Sequence, residues 1–177
     1  PRRRELLAGL DIDYRVTALP EVDESYPDTL SGEEIPLYIS QEKAAAYRRF
    51  MKDNTLLITA DTIVWLDGKV YGKPRDIADA KAMLQALSGK THTVITGVTL
   101  TSLQKQISFT VSTEVTFAAL GDDEIDYYVE KYRPLDKAGA YGVQEWIGYI
   151  GVTGLKGSYY NVMGLPIQRL YTELKKF

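Results

Sequence analysis

Cysteine is absent from this chain of 177 residues, and histidine occurs once, as His92. The first absence excludes disulfides, thiolate zinc sites and a cysteine nucleophile, and it suits a cytoplasmic protein. The second excludes any metal site built on two histidines and leaves one candidate for a Ser-His pair. His92 follows Gly89 at the entry to a strand and reads as a structural hydrogen bonder rather than a catalyst. No apolar run approaches the roughly 20 residues of a membrane-spanning helix. Neither a Walker A sequence nor a dinucleotide-binding glycine pattern is present. The net charge of −3 gives no general attraction for nucleic acid or an anionic membrane. Any polyanion must therefore be held by a local cluster of cations. If a metal takes part, its ligands are carboxylate, carbonyl and water oxygens, which suit Mg²⁺ or Mn²⁺.

What the chain does contain is ordinary for a globular protein, with 45% apolar and 25% charged residues. Its length fits one domain, or two small lobes sharing a cleft. We read residues 1–177 as a single domain. The chain opens at Pro1 without a methionine and passes straight into a helical pattern, so a strand is expected upstream.

The informative stretch runs from Leu56 to Val98. Leu56-Leu57-Ile58 reads as a buried strand that delivers Asp61 beside Thr62 and resumes as Ile63-Val64-Trp65. A carboxylate inside an apolar strand is costly to desolvate unless a cation meets it. Asp67-Gly68 signals a tight hairpin, and Gly72-Lys73-Pro74 places a cation on a stiff loop expected near Asp61. Asp76 can cap a helix with Ile77, Ala80, Leu84 and Leu87 on one face. Gly89 ends it, and Val94, Thr96 and Val98 alternate as the next strand.

Elsewhere, Pro1 and three arginines precede Leu6, Leu7 and Leu10 in an N-terminal helix. Arg2, Arg3 and Arg4 oppose its dipole, so they read either as a solvated basic turn or as an anion site. Asp13 to Ala18 reads as a strand, and Glu21 to Glu24 as an acidic loop. A helix is expected from Pro36 to about Met51, carrying Lys43 as a surface charge or a phosphate ligand. Ile107 to Phe117 alternates as a long antiparallel strand. Ile125, Tyr128, Val129 and Tyr132 share one face of a helix that starts at Gly121-Asp122. The run 135–144, Leu-Asp-Lys-Ala-Gly-Ala-Tyr-Gly-Val-Gln, suggests backbone packed closely on a ligand or a strand. Gln144 at its end is either a surface residue or a reader of a base edge. Tyr149 to Val152 reads as a strand, followed by a short helix from Gly157. The last helix has Ile167, Leu170, Tyr171 and Leu174 facing inward. Arg2, Arg3, Lys43, Lys73, Asp61 and Gln144 together suggest a phosphoester or anhydride hydrolase.

The segments PRRRELL, ADTIV with GKPRD, LSGKTHTVITGV, PLDKAGAYGVQ and GSYYNVMGLP occur in this order over nearly the whole chain. Together they resemble the Maf (septum formation inhibitor) family of nucleotide pyrophosphatases. The resemblance implies an α/β fold with a mixed, elongated sheet flanked by helices, with two lobes around a cleft. It implies hydrolysis of a nucleoside triphosphate to monophosphate and pyrophosphate with a divalent cation, Mg²⁺ or Mn²⁺. Asp61 matches the family's proton acceptor, and Arg2, Arg3, Lys43 and Lys73 match its phosphate-binding residues. Asp23 or Glu24 matches a further acid, so Asp61, Asp23 and Glu24 are the implied metal ligands. Arg2, Thr62 and Gln144 match residues linked to base choice in the thymidine/uridine triphosphate subgroup. The family's N-terminal strand and its Ser-x-Ser before the proline are missing from this sequence. A homodimer is the family-level expectation, with 13 tyrosines available for an interface. The competing reading is a regulator of cell division that binds nucleotide and hydrolyses it incidentally. Asp61 discriminates, since an acid among phosphate ligands would only repel a nucleotide that was merely bound.

Overall fold

A computed structural model describes residues 2–18 and 21–177. The chain divides into two compact units. One comprises Pro1–Thr62, Ile95–Val111 and Gly164–Phe177; the other comprises Ile63–Val94 and Ser112–Met163. Five strands pair in the order β2-β1-β3-β4-β5. They are β1 (Leu57–Leu66), β2 (Lys69–Tyr71), β3 (Thr91–Thr101), β4 (Gln106–Phe117) and β5 (Val152–Lys156). β2 is antiparallel to β1, with Val64 opposite Tyr71, and β5 is antiparallel to β4, with Val115 opposite Leu155. Side chains fix the remaining senses. Thr62 meets Thr96 while Thr59 reaches Thr99, and Gln106 meets Thr101 while Ser108 meets Thr99, so these pairs are antiparallel too. The helix-flanked α/β architecture is as expected, and its pairings are antiparallel among the described residues.

In the first unit lie α1 (Arg2–Ala8), α2 (Glu34–Tyr47) and α7 (Ile167–Lys176). Its core gathers Ala60, Val98, Leu100, Phe109, Leu165 and Leu170. α2 buries Ile35, Ile39 and Ala44 and is further seated by hydroxyls. Ser40 Oγ lies 2.8 Å from Thr99 Oγ1, and Thr59 Oγ1 donates to the Ser40 carbonyl at 2.8 Å. Helix and strand backbones also touch, because a Cβ at Gly97 would overlap the Pro36 carbonyl and lie 2.6 Å from Leu37 N. Pro36 is the third residue of α2, not the first. The first turn tolerates it because its missing N–H would have no intrahelical partner there. Glu34 reaches back to Ser31 N, and α2 gives way after Tyr47 to a single 3-10 turn, Arg48–Phe50.

The second unit carries α3 (Ile77–Leu87), α4 (Asp122–Tyr132), α5 (Trp146–Gly151) and α6 (Tyr159–Met163). α3 and α4 pack together. Asp76 caps α3 by accepting from Asp79 N at 2.8 Å, as its sequence suggests. Asp67 (φ 52°) and Gly68 (φ 77°) form the tight hairpin between β1 and β2. His92 is 1% exposed, and its Nε2 lies 2.6 Å from the Tyr141 hydroxyl amid the Phe117 and Tyr141 rings.

Three further expectations are corrected. Residues 13–18 form no strand, since no ladder partner reaches them among the described residues; Tyr14 instead donates to the Arg4 carbonyl. Tyr149 to Gly151 belongs to α5, and the strand begins only at Val152. Gly148 N–H bonds the Glu145 carbonyl and turns that segment helical. Tyr171 is exposed, because Leu170 takes the buried position of α7.

Candidate active site

Within the first unit, the hydroxyl ties that seat α2 decide where Lys43 points. Lys43 is three residues beyond Ser40, on the same face of the helix. Ser40 is tied to Thr59, two residues before Asp61. Lys43 Nζ accordingly donates to the Ala60 carbonyl at 2.9 Å and meets Asp61 Oδ1 at 3.4 Å. Glu24 Oε1 approaches the same ammonium at 3.2 Å. One cation is thus shared by two carboxylates and a carbonyl. Asp61 is 9% exposed. Burial is the strongest influence on its carboxyl and raises its pKa; Lys43 and Arg3 act against that shift, while Glu24 adds to it.

Arg3 leaves α1 to donate its Nε to the Gly164 carbonyl at 2.8 Å and its Nη2 to Thr62 Oγ1 at 3.1 Å. The residue as a whole is exposed, yet its guanidinium is crowded by protein. Desolvation there outweighs the pull of Asp61 and lowers its pKa, although an arginine stays cationic throughout the working pH range. Thr62 Oγ1 also lies 2.8 Å from Thr96 Oγ1, so its hydroxyl is committed to holding Arg3 and β3. Arg2 is half-buried at the start of α1 and makes no hydrogen bond or ion pair among the described residues. A groove of about 720 Å³ beside these residues is lined by Arg3, Arg4, Arg15 and Lys43 among others.

The sequence leaves open whether Asp23 or Glu24 is the further acid, and the geometry separates them. Asp23 is solvent-exposed and spends its Oδ1 on Ser25 N at 2.9 Å, which holds its carboxyl below the ordinary range. Glu24 is the one that reaches Lys43. Glu24 and Asp61 are the hard oxygen donors that Mg²⁺ or Mn²⁺ takes. Such ions are commonly held by one or two carboxylates, completed by waters and substrate phosphates. Among the described residues no group of three or more His, Cys, Asp or Glu side chains could hold a metal. A divalent ion here would therefore draw the rest of its shell from phosphate and water, and the donor set fits that division.

In the second unit, Lys73 is exposed on the loop after β2 and forms no salt bridge among the described residues. Gln144 is half-buried, and its Oε1 is buried with no hydrogen-bond partner. The sequence reading missed the groups that surround it. The Tyr128 hydroxyl donates to Glu145 Oε1 at 2.6 Å and accepts from Gly142 N at 3.0 Å, and Lys137 Nζ stands 3.8 Å from Glu145. Helical periodicity places Tyr128 inward but says nothing of where its hydroxyl ends.

A family model described as Maf-like protein matches residues 1–177. The chain belongs to the Maf family. It is 67% identical over 176 residues to a dTTP/UTP pyrophosphatase of Phocaeicola vulgatus, covering 99% of this chain and 91% of that protein. A dTTP/UTP pyrophosphatase of Bacteroides thetaiotaomicron is 64% identical over the same shares of the two chains. One from Flavobacterium psychrophilum is 48% identical over 174 residues, covering 98% and 89%.

Proposed function

We propose that this protein hydrolyses dTTP and UTP to the nucleoside monophosphate and pyrophosphate. The observation that carries the reading is Asp61, a buried acid on β1 held beside Lys43 and Glu24 in a chain of the Maf family. Water attacks the α-phosphorus, the bond to the β-phosphate oxygen breaks, and pyrophosphate leaves. Asp61 takes the proton of the attacking water. Its raised pKa makes it a stronger base than an exposed carboxylate, at the cost of being less readily ionised. No covalent nucleophile is needed, because anhydride hydrolysis requires charge neutralisation and a positioned water.

Arg2, Arg3, Lys43 and Lys73 bind the phosphates, Lys43 exchanging contact with Asp61 and Glu24 for contact with substrate oxygens. Asp61 and Glu24 would hold a divalent cation, which when bound neutralises developing phosphate charge; Asp23 takes no direct part. Gln144 pairs with the base, supported by its unpartnered buried oxygen. Thr62 acts on base choice through Arg3, whose guanidinium it orients. The substrate pool and the cysteine-free chain suit the cytoplasm.

The test is pyrophosphate and monophosphate release from a panel of nucleoside triphosphates with Mg²⁺ or Mn²⁺. Turnover of dTTP and UTP above the purine nucleotides is expected. Tight binding without turnover of any of them would favour the regulatory reading instead.

A further inference from the structure

Gln144 sits in a β-turn, closed by Glu145 N–H donating to the Gly142 carbonyl at 3.0 Å. One hydroxyl braces both ends of that turn. Tyr128 OH accepts from Gly142 N, the first residue of the turn, and donates to Glu145 Oε1, the last. The brace has no spare room. A Cβ on Gly142 would lie 2.6 Å from Glu145 Oε1 and 3.0 Å from Lys137 Cε, so carboxylate and ammonium close over the turn only because residue 142 is glycine. Tyr128 cannot relax away, being fully buried and stacked on Tyr132 with ring centroids 5.2 Å apart. The preceding residues are pinned as well, by Gly139 N–H donating to the Gly72 carbonyl at 3.1 Å.

A tyrosine in an apolar helix–helix layer could have been phenylalanine if packing were its only task. A charged acceptor and a backbone donor, both flanking a buried polar atom left open, Gln144 Oε1, mark the hydroxyl as a device for aiming it. We infer that Tyr128, with Glu145 and Lys137, is a positioning clamp that sets base selectivity by fixing Gln144. This rests on the reading of Gln144 as the base contact. Uracil and thymine offer an N3–H donor to a glutamine oxygen, whereas cytosine presents an acceptor at that position. Freedom in the turn lets the amide rotate and accept either, so the clamp matters for selectivity more than for rate.

The experiment compares kcat/KM for UTP and CTP in the full chain with Mg²⁺, for Tyr128→Phe, Glu145→Ala, Glu145→Gln and Gln144→Ala. Tyr128→Phe is expected to lower the UTP-to-CTP ratio by about tenfold, in the same direction as Gln144→Ala, as befits loss of one oriented polar contact. Glu145→Gln retains an acceptor for the tyrosine and should recover much of the ratio that Glu145→Ala loses. An equal fall for both nucleotides in Tyr128→Phe and Glu145→Ala would make the network merely structural and overturn the clamp. Should Tyr128→Phe fail to fold, the Glu145 pair decides alone. If Gln144→Ala erodes selectivity and the clamp variants do not, the clamp falls while the base contact stands. If Gln144→Ala leaves the ratio unchanged, both fall.

Discussion

Asp61 and Glu24 share Lys43 but have different surroundings, so their substitutions should separate. Asp61→Asn removes the proposed proton acceptor, and pyrophosphate release should fall by about a thousandfold, within the usual range for a general base. Nucleotide affinity, measured by calorimetry, should be unchanged or tighter, because a negative charge beside the phosphates is gone. Turnover near that of the parent protein would remove Asp61 from the chemistry. Glu24→Gln should lower kcat by roughly tenfold to a hundredfold, the range for groups that support a metal or its ligands. Asp23→Asn should stay close to the parent rate, since that carboxylate only caps its own loop. Equal losses at both positions would contradict this separation.

His92 belongs to stability rather than catalysis. Burial holds its pKa down to about 4, against 6.5 for a free imidazole. Between those values the unfolded chain binds the proton and the folded chain does not, so stability falls as pH drops through this window. The full shift corresponds to about 3 kcal/mol. In urea titrations from pH 7 to pH 4, His92→Phe should flatten this slope, even though the Tyr141 hydroxyl loses its partner. An unchanged slope would mean that carboxylates dominate the acid response.

At the scale of elements, Gly97 decides how closely α2 approaches β3. Gly97→Ala puts a methyl into the Pro36 carbonyl, and backbone cannot yield as a flexible side chain can. A loss of about 2 kcal/mol or more in denaturant unfolding is expected. Because α2 carries Lys43, kcat should fall as well; a variant of parent-like stability and activity would show that the helix shifts without cost. Signals confined to a few residues were legible in the sequence, namely the Asp67-Gly68 hairpin, the Asp76 cap and the alternation of β4. Asp61 stood out in the sequence because a carboxylate interrupts an apolar strand, and Arg2 and Arg3 because they open a helix. Lys43 stayed open between a surface charge and a phosphate ligand until its contact with Asp61 was seen. Residues 13–18 were misread because extended propensity cannot reveal whether a partner strand is present. Tyr149 to Gly151 was misread because short apolar runs lack enough turns to separate helix from strand. That Glu24 rather than Asp23 meets Lys43 depends on which carboxylate reaches a lysine 19 or 20 positions away, and local pattern carries no such information.

For the molecule as a whole, two carboxylates cannot complete the shell of a divalent ion alone. Metal and nucleotide should therefore bind together. In thermal melts, Mg²⁺ with a non-hydrolysable UTP analogue should raise Tm by more than the two separate shifts combined. Saturation at 100 times the apparent Kd corresponds to about 2.7 kcal/mol. A full shift from Mg²⁺ alone would mean that the protein supplies the whole shell. No helix among the described residues is long and apolar enough to cross a membrane.

The β3–β4 pairing has a consequence for how the chain finds its structure. Strands of 11 and 12 residues are joined by only residues 102–105, where Ser102 N–H bonds the Lys105 carbonyl at 2.8 Å. Closing so short a loop costs little chain entropy, whereas β5 must wait for residues 118–151 to fold back. The hairpin is the natural nucleus of the sheet. In pulse-labelled hydrogen exchange during refolding, its amides should be protected before those of the β4–β5 pairing.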